Sequence, residues 1–363
     1  MTAPLRVVLI GAGTRARKTY VPWLAGHPPY QSEPVKPVAV VDTDPDAART
    51  AARALPGAAA AGLQDLHPIL AARPDLVIVA TPDAAHHDYA AHALSAGCTT
   101  LVEKPLATTA ADAFDLVHAA ERSPARLLVG HNLRFTNLHQ EVRALLSGRR
   151  IGTLLHADFH YTLNPSHSRS YLTRWHRTRQ MSGGLEVTKA SHHLDLLAWW
   201  LDARPVTITG RLHRRHYRPG EDGIPHDADI HDSVHALIQY SSGATARYAL
   251  TTNASHDGYL CVLRGAAGTC MVRYNAQTGP HTVQLTTPTQ RQAWEVTRED
   301  GTHAGADRRM LLALPGTLAH PARAPHFATA TEAALAVATG TTLHESSRQG
   351  RRLPVPQLPG EET

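Results

Sequence analysis

Continuous apolar runs alternate with amphipathic, alanine-rich stretches over the first 131 residues. The apolar runs are short, as buried strands are, and lie at 5–10, 38–41, 76–80, 99–102 and 126–129. The stretches with a helical pattern lie between them, at 46–55, 86–96 and 108–122. Strands without polar alternation that are joined by helices are typical of a parallel sheet covered on both faces. The pattern predicts a doubly wound α/β domain over residues 1–131.

After residue 131 the pattern changes to an alternation of apolar and polar positions. The alternating stretches lie at 154–163, 206–212, 235–240, 244–251, 259–263 and 269–274. A period of two indicates an antiparallel sheet with one packed face and one free face. Helices are predicted at 137–147 and 185–201. We therefore expect residues 132–363 to form an α+β domain with a large open, mostly antiparallel sheet.

The segment that leaves the first strand is rich in small residues. It reads Gly11-Ala12-Gly13-Thr14-Arg15-Ala16 and fits the pattern G-x-G-x-x-G/A. The glycines permit a tight turn and a close approach of the backbone to a pyrophosphate, which the N-terminus of the following helix favours. This predicts a dinucleotide-binding Rossmann domain. The alternative is a strand–turn–helix that uses small residues only for packing.

Asp42 follows the second strand. An acidic side chain at this point can accept hydrogen bonds from the ribose hydroxyls of a dinucleotide and would repel a 2′-phosphate. The sequence therefore favours NAD over NADP. Helix capping is the alternative role, although Asp44 is better placed for it. NADP remains possible because Arg15 and Arg17 could contact a 2′-phosphate.

Lysine is rare in this chain, and two lysines stand in motifs. Only four of the 36 basic residues are lysines: Lys18, Lys36, Lys104 and Lys189. The segment Glu103-Lys104-Pro105 ends a strand at the carboxyl edge of the predicted sheet, where cofactor crevices form. A lysine there can stabilise the charge that develops on a reacting oxygen. The alternative is an ordinary exposed lysine.

A histidine-containing stretch in the second domain supplies candidates for proton transfer. In a continuous helix, Thr188 and Lys189 would lie on the same face as His192, four and three residues before it. A cation beside His192 would lower the pKa of the imidazole and favour a neutral general base. Helix packing is the alternative for His192, and it is the better interpretation of His193.

Taken together, these motifs resemble the Gfo/Idh/MocA oxidoreductases over nearly the whole chain. The resemblance implies that Lys104 is the active-site lysine and that Glu103 lies on the nicotinamide side. It also implies that Thr81, Pro82 and His86 line the cofactor crevice.

The second domain departs from the usual family pattern, because Thr188 stands where that pattern has an aspartate. The segment instead resembles a subgroup with a lysine-containing K-x-x-H-H-x-D helix, and 171–177 and 303–307 resemble the same subgroup. We interpret His192 as the proton shuttle and Lys189 as a substrate or oxyanion contact. The expected substrate contacts are Arg174, His176, Thr188 and His167.

These assignments predict a reversible hydride transfer between C4 of the nicotinamide and a secondary alcohol or ketone. The expected substrate is a sugar, a cyclitol or a related polar small molecule. Three alternatives remain: a ketone or imine reductase in a specialised biosynthetic pathway, an NAD-dependent hydrolase or lyase that uses transient oxidation, and a non-catalytic NAD(H)-sensing protein. The free face of the second sheet predicts a homodimer or homotetramer.

Charge, hydropathy and cysteine content indicate which further classes of protein the chain does not resemble. The net charge of +5 comes from scattered basic residues, and the densest group, within 211–218, accompanies no nucleic-acid motif. No apolar run approaches the ~20 residues of a membrane span. The three cysteines are widely spaced and predict a reducing, cytoplasmic setting. His226, Asp229, His231 and His235 are interpreted as surface-loop residues, so no metal is assigned.

Overall fold

A computed structural model describes residues 4–30, 35–320 and 326–358, which form two compact units. Within these residues the first unit comprises 4–107, 111–131 and 307–334. The second comprises 108–110, 132–306 and 335–358. No helix in this part of the chain combines the length and the hydropathy that a membrane span requires.

The first unit contains a six-stranded parallel sheet. Its strands are β1 (Leu5–Ile10), β2 (Val35–Val41), β3 (Ala59–Ala61), β4 (Leu76–Val79), β5 (Thr100–Val102) and β6 (Leu127–Val129). Their order is β3-β2-β1-β4-β5-β6, so the winding reverses between β1 and β4. In open α/β sheets, ligands bind at the carboxyl ends of the strands beside this reversal. Residues 7–10 and 76–79 are at most 1% exposed, because helices cover both faces.

Short helices connect these strands. They are α1 (Val21–Leu24), α2 (Pro45–Arg53), α3 (Leu66–Ala71), α4 (His86–Ser95) and α5 (Ala110–Arg122), and a π-helical turn at Ala16–Tyr20 precedes α1. The side chain of Asp44 caps α2 by accepting a hydrogen bond from the Asp46 amide at 2.9 Å. Asp44 therefore takes the capping role that the sequence offers as an alternative for Asp42.

A distant segment returns to the first unit. Helix α11 (Ala306–Ala319) accepts a hydrogen bond of 2.9 Å at the carbonyl of Thr317 from Nη1 of Arg126, the residue before β6. Val129 and Ala328 form a β-bridge. The local sequence pattern assigns the whole of 132–363 to the second domain, whereas 307–334 belongs with the first unit. These contacts join residues about 190 positions apart, which no local pattern can show.

The second unit is built on a nine-stranded sheet. Its strands are β7 (Leu154–Thr162), β8 (Pro205–His213), β9 (Ser233–Tyr240), β10 (Thr245–Thr251), β11 (Gly258–Gly265), β12 (Gly268–Asn275), β13 (His281–Thr286), β14 (Arg291–Val296) and β15 (Leu353–Pro354). The order is β14-β13-β12-β11-β7-β10-β9-β8-β15. Every neighbouring pair is antiparallel except β7 and β10. The predicted fold class is therefore confirmed for both parts of the chain.

Helices pack on one face of the nine-stranded sheet. The remaining helices are α6 (Asn137–Ser147), α7 (Pro165–Thr173), α8 (Arg179–Ser182), α9 (Leu185–Thr188), α10 (Ser191–Leu201) and α12 (Ala330–Gln349). His139 of α6 meets β11 and His193 of α10 meets β10. The opposite face carries exposed apolar side chains at Leu237, Leu260 and Met271. A groove of about 680 Å³ crosses that face.

The burial of His139 makes stability depend on pH. Its Nδ1 lies 2.6 Å from the carbonyl of Leu133, and its Nε2 lies 2.6 Å from the hydroxyl of Tyr259. A neutral ring that donates from Nδ1 and accepts at Nε2 satisfies both partners. Burial lowers the pKa of His139 from 6.5 to about 3, outweighing the opposing effect of the Leu133 carbonyl. The unfolded chain thus takes up a proton near pH 6.5, whereas the folded chain resists it down to about pH 3.

We expect stability to fall as the pH is lowered below 6.5, by about 2 kcal/mol at pH 5 for this group. Urea unfolding between pH 7 and pH 5 measures this loss. His139→Gln should flatten the dependence, whereas His118→Gln, where the side chain is 41% exposed, should leave it unchanged. An equally steep dependence in His139→Gln would contradict the assignment.

Candidate active-site residues

The glycine-rich loop after β1 has the geometry that a dinucleotide requires. Gly11 has a φ of +96°, and a Cβ there would lie 2.6 Å from the carbonyl oxygen of Ala80, so only glycine fits. Gly13 and Thr14 are exposed, and no described atom lies within 4 Å of the Cβ position of Gly13. The loop backbone is therefore open on the side from which a pyrophosphate would approach.

Asp42 is held beside this loop. Its Oδ2 accepts a hydrogen bond of 2.6 Å from the amide of Ala12, and its Oδ1 accepts one of 2.8 Å from the amide of Asp44. The carboxylate is half-buried and retains further lone pairs. This placement fits a carboxylate that receives the ribose hydroxyls of a dinucleotide.

Arg15 is bound by two carboxylates. Its Nε donates to Glu103 Oε1 at 2.6 Å, and its two terminal nitrogens donate to Asp307 at 2.7 Å each. Burial lowers the pKa of Arg15, but the Glu103 and Asp307 carboxylates outweigh it, so the net shift is upward. All three guanidinium nitrogens of Arg15 therefore have hydrogen-bond partners within the protein. This arrangement occupies Arg15, whereas Arg17, the other candidate for contact with a 2′-phosphate, is exposed.

Glu103 is fixed from two sides. Besides Arg15, the hydroxyl of Tyr20 donates to Glu103 Oε1 at 2.7 Å. Burial raises the pKa of Glu103, yet the Arg15 cation reverses this and the net shift is downward. The residue that precedes Lys104 is consequently an ionised, immobilised carboxylate.

Lys104 follows β5 and is half-buried. Burial lowers the pKa of its ammonium, and the carboxylates of Asp83 and Glu103 oppose that effect in part. His86 connects the two segments that follow β4 and β5. Its Nδ1 lies 2.6 Å from the carbonyl of Pro105, and its Nε2 lies 3.1 Å from the carbonyl of Thr81. His86 therefore positions the strand ends and is itself only 1% exposed, while Pro82 is exposed.

The stretch that contains His192 is not one helix. Helix α9 ends at Thr188, Lys189 and Ala190 form a turn, and α10 begins at Ser191. The prediction of a continuous helix over 185–201 is wrong, so Thr188, Lys189 and His192 do not lie on one face of a single helix. The turn interrupts the spacing, although all three side chains are buried.

A polar cluster surrounds His192 within the second unit. The ring of His192 lies 5.8 Å from that of His303, whose Nδ1 is 3.0 Å from the side-chain Nδ2 of Asn132. The ammonium of Lys189 lies 4.6 Å from the centre of the Tyr161 ring, a cation–π contact. The cluster combines imidazole, amide and ammonium groups, which can bind hydroxyls and move protons.

His167 extends this cluster. Its Nδ1 lies 3.0 Å from Asp257 Oδ2, while Asp257 Oδ1 accepts a hydrogen bond of 2.6 Å from the Asn164 amide. Burial lowers the pKa of His167, and the Lys189 and His303 charges lower it further, against the effect of Asp257. The His167–Asp257 pair and the cation of Lys189 therefore share one electrostatic environment.

The other predicted substrate contacts lie on the segment after α7. Arg174 is exposed, and His176 stacks on Trp175 with 3.6 Å between ring centres. The ring of Tyr171 lies 5.0 Å from His176 and 5.5 Å from His167. An aromatic connection thus runs from His176 to His167, whereas Arg174 projects to solvent.

Two neighbours of His192 have structural partners. Asp195 pairs with Arg134 through two hydrogen bonds of 2.8 and 2.6 Å, and both side chains are at most 2% exposed. His193 stacks on Tyr161 and lies 2.8 Å from the hydroxyl of Tyr248. These contacts fix α10 against the sheet and so orient His192.

Comparison with known families identifies the chain. The family profile described as an oxidoreductase family with an NAD-binding Rossmann fold matches residues 5–131. The profile of the GFO/IDH/MocA C-terminal domain matches residues 139–271. The chain belongs to the Gfo/Idh/MocA oxidoreductase family. NAD is accordingly the cofactor of its N-terminal domain. The lysine-containing subgroup stays a prediction.

Individual relatives are distant. The oxidoreductase YteT of Bacillus subtilis is 25% identical over 66% of this chain and 71% of its own length. An inositol 2-dehydrogenase of Arthrobacter is 27% identical, over 78% and 77% of the two chains. The structure of levoglucosan dehydrogenase with NADH and L-sorbose shares the fold, with a TM-score of 0.80 at 20% identity over 98% of this chain and all of that one. The chain spans about half the length of several other curated relatives.

In this Gfo/Idh/MocA chain, four residues of the polar cluster lie outside the predicted site: Asn132, Tyr161, Asp257 and His303. The segment 303–307 carried a signal, because its pattern of histidine, small residues and aspartate resembles the subgroup. Its two ends serve different units, since Asp307 binds Arg15 in the first and His303 faces His192 in the second. Asp257 had no local signal.

Proposed function

We propose that this protein is an NAD-dependent dehydrogenase or reductase of a secondary alcohol or ketone on a sugar, a cyclitol or a similar polyhydroxylated compound. The observation that carries the proposal is the cluster of His192, Lys189 and the His167–Asp257 pair, which offers several donors and acceptors to vicinal hydroxyls. Relatives named inositol 2-dehydrogenase and 1,5-anhydro-D-fructose reductase support this substrate class.

The roles of the residues follow from their surroundings. Bound NAD supplies the hydride-accepting carbon. We assign the transfer of the hydroxyl proton to His192, which α10 holds in place through the Asp195–Arg134 pair. Lys104 stabilises negative charge on the reacting oxygen. Lys189, pinned over Tyr161, and His167 bind further hydroxyls.

A substrate screen tests the proposal. The purified protein is incubated with NAD and a panel of inositols, aldoses, anhydrosugars and sugar acids, and separately with NADH and keto-sugars, while NADH absorbance is followed. Turnover on at least one member is expected. In parallel, loss of deuterium from labelled substrates without net NADH would reveal the transient-oxidation alternative. NADH binding with neither signal across the panel would contradict the proposal and favour a sensor.

Asp42 should determine the choice of cofactor. Asp42→Ala removes two charge-assisted hydrogen bonds to ribose, so we expect NADH to bind about 10- to 100-fold more weakly. NADPH binding should weaken less or improve, because the repulsion of the 2′-phosphate is lost. Fluorescence titration with both cofactors measures the ratio. Asp44→Ala removes only the cap of α2 and should keep the preference. An unchanged ratio in Asp42→Ala would argue against this assignment.

We also propose that the free face of the nine-stranded sheet pairs with a second copy of the chain. Leu237 is 55% exposed and Leu260 is 36% exposed on this face, while Asp158 on the same face is bound by Arg247 and Arg264. Leu237→Glu should convert an oligomer into a monomer in light scattering coupled to size-exclusion chromatography. Leu63→Glu, in the first unit at 40% exposure, is the matched control. A wild-type monomer would refute the pairing.

A further inference from the structure

Three potential metal ligands meet in the second unit away from the polar cluster. Glu186 lies in α9, His231 precedes β9 and His344 lies in α12, and one ligand atom from each falls within 4.8 Å of the others. His344 Nδ1 is 2.8 Å from Glu186 Oε1, and the two imidazole centres are 5.9 Å apart. We propose that Glu186, His231 and His344 bind one divalent transition-metal ion, with Zn²⁺ as the first candidate.

The ligand set fits such an ion. Two imidazoles and one carboxylate are ligands that Zn²⁺ accepts, and they leave a fourth position for water. Ligands about 2.1 Å from a tetrahedral ion lie about 3.4 Å from one another. The widest of the present separations, at most 4.8 Å, therefore has to shorten by up to about 1.4 Å, which the two half-buried histidines can do by small rotations.

The hydrogen bonds around His344 show why a cation suits this place. Its Nδ1 contacts both Glu186 Oε1 and Arg179 Nη1. The contact with the carboxylate requires a proton on Nδ1, whereas the contact with the guanidinium requires a lone pair there. A single ring nitrogen cannot provide both. A metal ion would accept the Nδ1 lone pair and the carboxylate oxygen together.

Two buried polar atoms of the cluster have no hydrogen-bond partner among the described residues. Glu186 is 0% exposed, and its Oε2 has no hydrogen-bond partner among the described residues. The same holds for the buried Nδ1 of His231. The cluster therefore contains two buried atoms that a metal ion could bind.

Arg179 is the internal competitor for this site. Its Nη1 lies 2.5 Å from Glu186 Oε1, so in the absence of metal the guanidinium neutralises the buried carboxylate. The Arg179 side chain is 31% exposed and can turn towards solvent when the ion enters. The site would then tie α9 to α12 and to the segment before β9. The metal proposal does not depend on the proposed reaction.

Metal binding to the full chain tests the proposal. The protein is freed of metal with a chelator and dialysed against Zn²⁺ or Co²⁺, and bound metal is measured by mass spectrometry and by the visible absorption of Co²⁺. We expect one ion per chain and a higher thermal midpoint with Zn²⁺. His231→Ala and His344→Ala should each bind at least about 100-fold more weakly. Arg179→Met should bind more tightly, because the competing cation is gone.

His226→Ala is the matched control, since His226 is an exposed histidine five residues before His231. It should bind metal as the wild type does. The proposal is overturned if the wild type takes up no ion at one per chain, or if either ligand variant binds like the wild type while remaining folded by circular dichroism. Weaker binding by Arg179→Met would count against it as well. The cluster would then be an ion pair with Arg179.

Discussion

Replacement of Lys104 by methionine is expected to lower kcat by about 10²- to 10³-fold. Lys104 follows the carboxyl end of β5, on the edge of the sheet where open α/β folds bind their ligands. Two carboxylates act on the charge of Lys104. Glu103 is held by hydrogen bonds from Arg15 and Tyr20, and Asp83 is the second carboxylate. Methionine keeps the apolar stem and removes only the charge and the hydrogen-bond donors. The loss should therefore fall on the reaction rather than on folding.

The measurements separate these effects. NADH fluorescence titration should give nearly the same affinity for Lys104→Met and the wild type, while kcat falls on the substrate found in the screen. Lys36→Met is a matched control, because Lys36 is an exposed lysine on β2. It should keep full activity. Undiminished turnover in Lys104→Met would remove the lysine from the mechanism even though the fold and the cofactor site stand.

Much of the first unit was predictable because its strands are buried on both faces and therefore uninterrupted in sequence. Three departures from the predicted pattern, one in this unit and two in the second unit, have physical reasons. Strand β3 consists of three alanines, whose short side chains give little hydrophobic signal. Strand β14 is mostly exposed and so lacks the alternation of a half-buried strand. The break at Lys189 is hidden because residues on both sides of it are buried, which imitates one continuous helix.

The residues of the candidate site that stand in a sequence motif could be predicted. Those that are brought into the site only by tertiary contacts could not. Gly11, Asp42 and Lys104 stand at strand ends, and strand ends can be located from an apolar pattern. Asp257 and Glu186 act through partners 90 or more residues away, His167 and His344 respectively. Such pairings depend on how the helices and strands of the second unit pack together, which sequence periodicity does not specify. The metal-ligand cluster was missed for that reason.

The adjacent histidines His192 and His193 allow a direct test of the assignment of proton transfer to His192. His192→Gln is expected to lower kcat by about 10²- to 10⁴-fold, because glutamine cannot exchange a proton at neutral pH. Its thermal midpoint should change little. His193→Gln should do the reverse: the residue packs between Phe159 and Tyr161 and contacts the Tyr248 hydroxyl, so its loss should cost about 1–3 kcal/mol of stability.

The comparison of these two variants distinguishes a proton-transfer role of His192 from a packing role. Kinetics are measured per folded molecule at a temperature well below both unfolding transitions, together with the pH dependence of kcat. His192→Gln should remove the ionisation that limits kcat, whereas His193→Gln should retain it. Equal losses of activity in both variants would mean that His192, too, acts through packing. The proton would then have to be transferred by another group of the cluster, and His167 with Asp257 as its partner is the pair to examine next.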